Sequence, residues 1–298
     1  MKGRIFVVVI LVVAAAFAGR WVTRTRNSGM SNQEETRNSF RLDGGARVEV
    51  RGINGSVEIY TADTDTADVR VVRTAGSTDD LEYGKVSVEQ TSSGLVVRGE
   101  GSGGHSFWHW LWGGGGQVRQ QVTMTLPRRV ELLTKGVNGP VHIGEVEGSV
   151  EVEGVNGKVE MAQPFDHSEI EGVNGNVVFG VSHLGAQGMD IKGVNGNIEI
   201  RLQRNFDADI EVKGNNGNLT LNLPNVTMQE RQNHANARAR LGAGGTPIDI
   251  KGVNGNIRFE SVAPATPSTA SAPNATTNGA GLGSPMNAPK PPPPPPAH

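Results

Sequence analysis

A pair of carboxylates can act as acid and base on a glycosidic bond, and several together can hold calcium. In this chain of 298 residues the acidic side chains are instead spread one to a repeat and alternate with lysines. Asp166-His167 is the only adjacent acid–histidine pair, and it reads as loop chemistry. His105 and His109 have the i,i+4 spacing of metal ligands on a helix, but glycine runs flank them and disfavour a helix there. No G-x-S-x-G, H-E-x-x-H or G-x-x-x-x-G-K-[ST] occurs, and the repeat has Asn where calcium-binding nonapeptides have Asp. These residues predict no enzyme, no metal and no cofactor. Large side chains concentrate in GSGGHSFWHWLWGGGG, where Phe107, Trp108, Trp110 and Trp112 lie between glycines. That segment has two readings: a loop plugging the open end of an apolar core, or an exposed finger for a membrane interface, a glycan or an envelope protein.

The elements that must position all this are legible from a repeat. G-x-N-G occurs seven times, with corners Gly52, Asn54, Gly55; Gly136, Asn138, Gly139; Gly154, Asn156, Gly157; Gly172, Asn174, Gly175; Gly193, Asn195, Gly196; Gly214, Asn216, Gly217; and Gly252, Asn254, Gly255. Successive motifs start 84, 18, 18, 21, 21 and 38 residues apart, and periods near 20 mark stacked arrays. Two residues before the first Gly stand Val50, Thr134, Val152, Ile170, Ile191, Val212 and Ile250. Five after it stand Val57, Val141, Val159, Val177, Ile198, Leu219 and Ile257; seven after it, Ile59, Ile143, Met161, Phe179, Ile200, Leu221 and Phe259. Polar residues alternate with them, the signal of half-buried strands on both sides of a turn. The turn itself is expected to come from N-G, since Asn and Gly tolerate positive φ.

The fold class is all-β, and two architectures fit. One is a parallel β-solenoid in which like residues stack and Asn156, Asn174, Asn195 and Asn216 form an amide ladder; near-identity of the repeats favours it. The alternative is an antiparallel hairpin array, because N-G between alternating runs is also a hairpin signal. Between Gly55 and Lys135 the repeat is interrupted by DVRVVRT, KVSVEQ, LVVRGE and QVTMTLP, read as strands covering the N-terminal end. MQERQNHANARARLGAGG, within the step of 38, reads as a surface loop or one frayed helical turn. The residues just before each first Gly, Arg51, Lys135, Glu153, Glu171, Lys192, Lys213 and Lys251, predict a charged stripe that keeps a β-surface soluble.

Lys2 and Arg4 precede an apolar run ending in Ala16-Phe17-Ala18, so residues 1–18 read as a signal peptide. Arg20, Arg24 and Arg26 keep an uncleaved N-terminal membrane anchor as the alternative. Either exports the rest: a linker over 19–37, a repeat domain over 38–262 and a disordered Pro-rich tail over 263–298. A net charge of −2 without a long basic run excludes a nucleic-acid footprint, and the absence of cysteine excludes disulfides and thiolate chemistry.

The G-[IV]-N-G corner followed by an alternating strand, with Gly52-Ile53-Asn54 as the defining triplet, resembles the bacterial β-strand-repeat "putative adhesin" family. That family is a domain of unknown function related to head-GIN domains. The resemblance covers roughly residues 38 to 262. It implies a right-handed parallel β-helix at the cell envelope or surface and transfers no active site. Three functions follow as expectations: a non-catalytic exported adhesin or scaffold first, a membrane-anchored envelope-stress accessory or sensor second, and a glycan-active β-helix enzyme last.

Overall fold

The computed structural model describes residues 21–27, 31–78, 80–82, 84–100, 118–164, 166–231 and 235–262. The aromatic cluster Phe107, Trp108, Trp110 and Trp112, the leader and the tail lie outside them. Among the described residues the one helical element is a 3₁₀ turn, Asp80–Glu82. None of them forms a helix long and apolar enough to cross a membrane.

Alternating apolar residues make strands, and among the described residues these form two sheets of eleven each. The order in sheet one is β1 (Trp21–Asn27), β2 (Ser31–Arg41), β5 (Thr66–Ala75), β8 (Arg119–Pro127), β4 (Gly55–Ala62), β10 (Val141–Val146), β12 (Val159–Pro164), β14 (Val177–Val181), β16 (Ile198–Gln203), β22 (Ile257–Val262), β18 (Leu219–Asn222). In sheet two it is β19 (Val226–Arg231), β20 (Ala237–Leu241), β17 (Ala208–Lys213), β21 (Thr246–Asn254), β15 (Met189–Asn195), β13 (Ser168–Asn174), β11 (Val150–Glu153), β9 (Val130–Lys135), β3 (Ala46–Arg51), β7 (Gly94–Gly99), β6 (Val86–Thr91). Residues 31–37, within the expected linker, are therefore strand and pair antiparallel with β5.

Every G-x-N-G corner carries the chain from a sheet-two strand into a sheet-one strand, so it does not join hydrogen-bonded neighbours. Within each sheet the repeat strands pair in parallel and in register, as Val141↔Val159 and Val152↔Ile170 show. Antiparallel pairing is confined to the two ends: β1–β2, β2–β5, β5–β8 and β6–β7 at one, β17–β20 and β19–β20 at the other. Both sheets are thus mixed. The three apolar columns face one another across the gap: Val152, Val159 and Met161 are at most 2 % exposed, and the other repeats follow them until Leu219 and Leu221, which are half-buried.

The polar insertion differs from expectation. It contributes β20 and most of β19, an antiparallel pair that extends sheet two beyond β17. The stacking order also departs from the chain order. β21 lies between β15 and β17, and β22 between β16 and β18, so the last repeat in sequence is inserted ahead of its predecessor.

Candidate functional site

In sheet two, side chains that do not enter the core form two outward columns. The register aligns Glu49, Leu133, Glu151, Glu169, Asp190, Asp249 and Glu211 in one, and Arg51, Lys135, Glu153, Glu171, Lys192, Lys251 and Lys213 in the other. Strands ~4.8 Å apart make each column about 30 Å long, charged at every position but Leu133 in the first. Ion pairs within and between repeats hold it: Arg51–Glu49 at 3.1 Å, Lys192–Glu169 at 2.6 Å, Lys213–Glu211 at 2.8 Å and Lys135–Glu153.

At the centre both columns are acidic, and Glu151, Glu153, Glu169 and Glu171 form a block of four carboxylates. A hydrogen bond with Glu153 raises the Glu151 pKa, with desolvation and the Glu153 and Glu169 charges adding to it. The Lys135 ammonium, followed by the bond from Glu151, lowers that of Glu153. Beside the block is a shallow cleft of about 130 Å³ lined by Arg47, Glu131, Ser149, Glu151, His167 and Glu169. His167 donates from Nδ1 to the Gly188 carbonyl at 3.1 Å, so that nitrogen is committed to the backbone. Among the described residues no three His, Asp or Glu side chains are grouped to hold a metal ion.

The corners show a division of labour. The first Gly is left-handed in each motif, with φ between +62° and +67°. A Cβ on the second Gly would meet the carbonyl oxygen of the neighbouring turn, at 2.3 Å for Gly157 against Gly139. The first Gly is thus left-handed in every motif, while the second, with φ of +149° to +159° in four of the seven, is required above all by close backbone approach. The variable residue enters the core: Ile53, Val137, Val155, Val173, Val194 and Val253 are at most 2 % exposed. That column was visible as Ile or Val in six of seven motifs.

The seven motif asparagines form one ladder. Nδ2 of Asn138, Asn156, Asn174 and Asn195 each donates to Oδ1 of the preceding motif Asn at 3.0–3.1 Å. Asn195 and Asn216 are not neighbours, as the chain order suggested. Asn254 stands between them, donating to Asn195 and accepting from Asn216. A second, unforeseen ladder runs through Asn176, Asn197 and Asn256, whose Oδ1 atoms accept the backbone N–H of Asn197, Asn256 and Asn218. The recurrent G-x-N-G-N in four repeats was its signal. On the outer face of sheet one, exposed Tyr60 packs near His142 at a ring separation of 5.7 Å and hydrogen-bonds Glu58.

No protein-family model matches the sequence. No curated protein matches it. Solved structures give weak likenesses. A "putative cell adhesion protein" from Clostridium sporogenes is 10 % identical with a TM-score of 0.39, over 77 % of this chain and 100 % of that one. "Putative adhesins" from Bacteroides fragilis and Parabacteroides merdae are 9 % and 12 % identical, with TM-scores of 0.29 and 0.25, each over 76 % of this chain and 96 % of the other. These names are not those of enzymes. Likenesses this weak carry no argument about function.

Proposed function

We propose that this chain is a non-catalytic, right-handed parallel β-solenoid, exported to the cell envelope, that serves as an adhesion or scaffold element through its outer faces. The observation that carries the reading is the register of the charged columns. An active site needs acids and bases converging on one reacting atom. Here the same side chains diverge along a flat strip, each facing its counterpart in the next turn, which suits many weak contacts with an extended partner. The handedness is supported by the connections: β10 and β12 are parallel neighbours joined through β11 in the other sheet, a crossover that is right-handed in about 98 % of cases.

Residues 1–18 would direct export and 263–298 would form a spacer. Cell fractionation with sequencing of the mature N-terminus tests this directly. Recovery in the cytosol would overturn export; a retained leader would shift the reading to an anchored envelope accessory. For the surface role, Glu151, Glu153, Glu169 and Glu171 are changed together to Gln. Attachment to cells or matrix should fall while the protein still folds and melts cooperatively, and unchanged attachment would remove this face from the proposal.

A further inference from the structure

The last repeat occupies a slot. Its β21 is paired on both edges, Met189↔Ile248 to Asn195↔Asn254 on one side and Ala208↔Thr246 to Lys213↔Lys251 on the other. Its β22 is likewise held between β16 and β18. Ile248, Ile250, Ile257 and Phe259 are fully buried there. The wall and the insert share a sequence: KGVNGNI occurs at 192–198 and again at 251–257. The slot is thus lined on one side by a copy of what fills it, and residues 246–262 are the last of the repeat strands along the chain.

The insert hangs from Gly242-Ala243-Gly244-Gly245, which crosses the start of β17 between β20 and β21. Three glycines there have φ of +59°, +75° and +120°. Asp207 and Asp209 hold the crossing by accepting from Ala243 N and Gly245 N, both at 2.9 Å. Glycine adopts extended φ as readily as these values, so the crossing can open without steric strain.

We propose that residues 246–262 are an exchangeable insert, and that the slot accepts the same segment of a second copy to give a reciprocally swapped dimer. Every core contact and ladder bond of the insert would be reproduced between chains, leaving only the opened hinge and lost chain entropy against the exchange. The insert's own tether gives the closed monomer a local-concentration advantage, so exchange is favoured where copies are crowded. This inference does not depend on the envelope assignment.

The chain has no cysteine, which permits a direct test. Asp190 and Asp249 are opposite one another on the outer face, 27 % and 31 % exposed, in adjacent strands whose spacing of ~4.8 Å falls within the Cα separation of a disulfide. A chain with both Asp190→Cys and Asp249→Cys should cross-link within itself. Two full-length, size-tagged singles, one with each substitution, are mixed, warmed into the foot of the melting transition, cooled and oxidised. An interchain heterodimer roughly tenfold above the unwarmed mixture is expected, as is a shift from monomer to dimer by light scattering when Gly244 and Gly245 are deleted. Failure of the double variant to cross-link would remove the slot itself. Cross-linking confined to the double variant, with the hinge deletion still monomeric, would overturn the exchange.

Discussion

The repeats from Val130 to Gln203 and those from Ala208 to Val262 carry the same corner but are assembled differently. In the first group each turn stacks on its predecessor in the chain, with hydrogen-bonded asparagines 18, 18 and 21 residues apart. In the second, the final turn is inserted between two earlier ones, and its Asn254 reaches Asn195 across 59 residues. The register is the same in both groups, and only the order differs. Columns and corners determine how any two turns fit together, whereas connection length and topology determine which two meet.

The largest expected effects separate stacking order from chain order. Phe259 belongs to the last motif yet is fully buried, while Leu221 of the preceding motif is half-buried at the end of its sheet. Phe259→Ala should cost about 3–5 kcal/mol, as much as Phe179→Ala in the middle, and Leu221→Ala only about 1 kcal/mol. Denaturant melts of the three variants measure this. A larger loss at Leu221 than at Phe259 would restore the chain order and break the comparison.

The two glycines of a corner come next. Gly157→Ala must push a methyl group against the Gly139 carbonyl and separate two turns, so a loss above about 2 kcal/mol is expected. A Cβ on Gly154 would make only ordinary van der Waals contact with Gly136 N and Cα, at 3.8 and 3.9 Å, leaving its φ of +62° to violate, for about 1–2 kcal/mol. Gly255→Ala and Gly252→Ala should reproduce the same ranking in the inserted repeat. Thermal unfolding of the four variants decides it, and equal losses within a corner would refute the division of roles.

The alternating columns were legible because each strand has one dry face, and seven aligned motifs expose it without any structure. The stacking order was not, since the corners are interchangeable and KGVNGNI fits beside itself wherever it occurs. β20 was missed for a different reason. Its inward residues Ala237, Ala239 and Leu241 are mostly small, and alanine gives little strand signal beside Arg238 and Arg240. The N-G pair drew attention to positive φ, yet the two glycines of a corner serve different needs, and the distance of the second to the next turn is visible only in the structure. The charged columns were half legible: the residue before each corner was read as a stripe, but the acidic column beside it required the register.

A smaller effect tests the packing of a column. Thr134 takes a place held elsewhere by Val or Ile, and its buried Oγ1 has no hydrogen-bond partner. Thr134→Val keeps the shape and removes the unmet hydroxyl, so it should stabilise by about 1 kcal/mol. A destabilised variant in an equilibrium melt would mean that the hydroxyl is satisfied.

The smallest effect concerns two carboxylates with opposite environments. Glu35, in the antiparallel N-terminal region, is pulled down to about 2 by hydrogen bonds from Arg70 and then Arg37. Glu151, in the parallel stack, is raised by its bond with Glu153 and by burial. A lowered folded value contributes stability above the ordinary carboxyl range and loses it as pH falls through about 2. A raised one contributes below the ordinary range, and that contribution is lost as pH rises through the folded value. Glu35→Gln should therefore destabilise at pH 7 by up to about 1 kcal/mol after solvent screening, with the deficit closing toward pH 2. Glu151→Gln should stabilise at pH 7 by a few tenths of a kcal/mol, and that gain should vanish below about pH 4. Stability curves of the two variants must then diverge from wild type in opposite directions as pH rises. If they run together, the central carboxylates are not crowded, and the acidic block is no more than solvated surface.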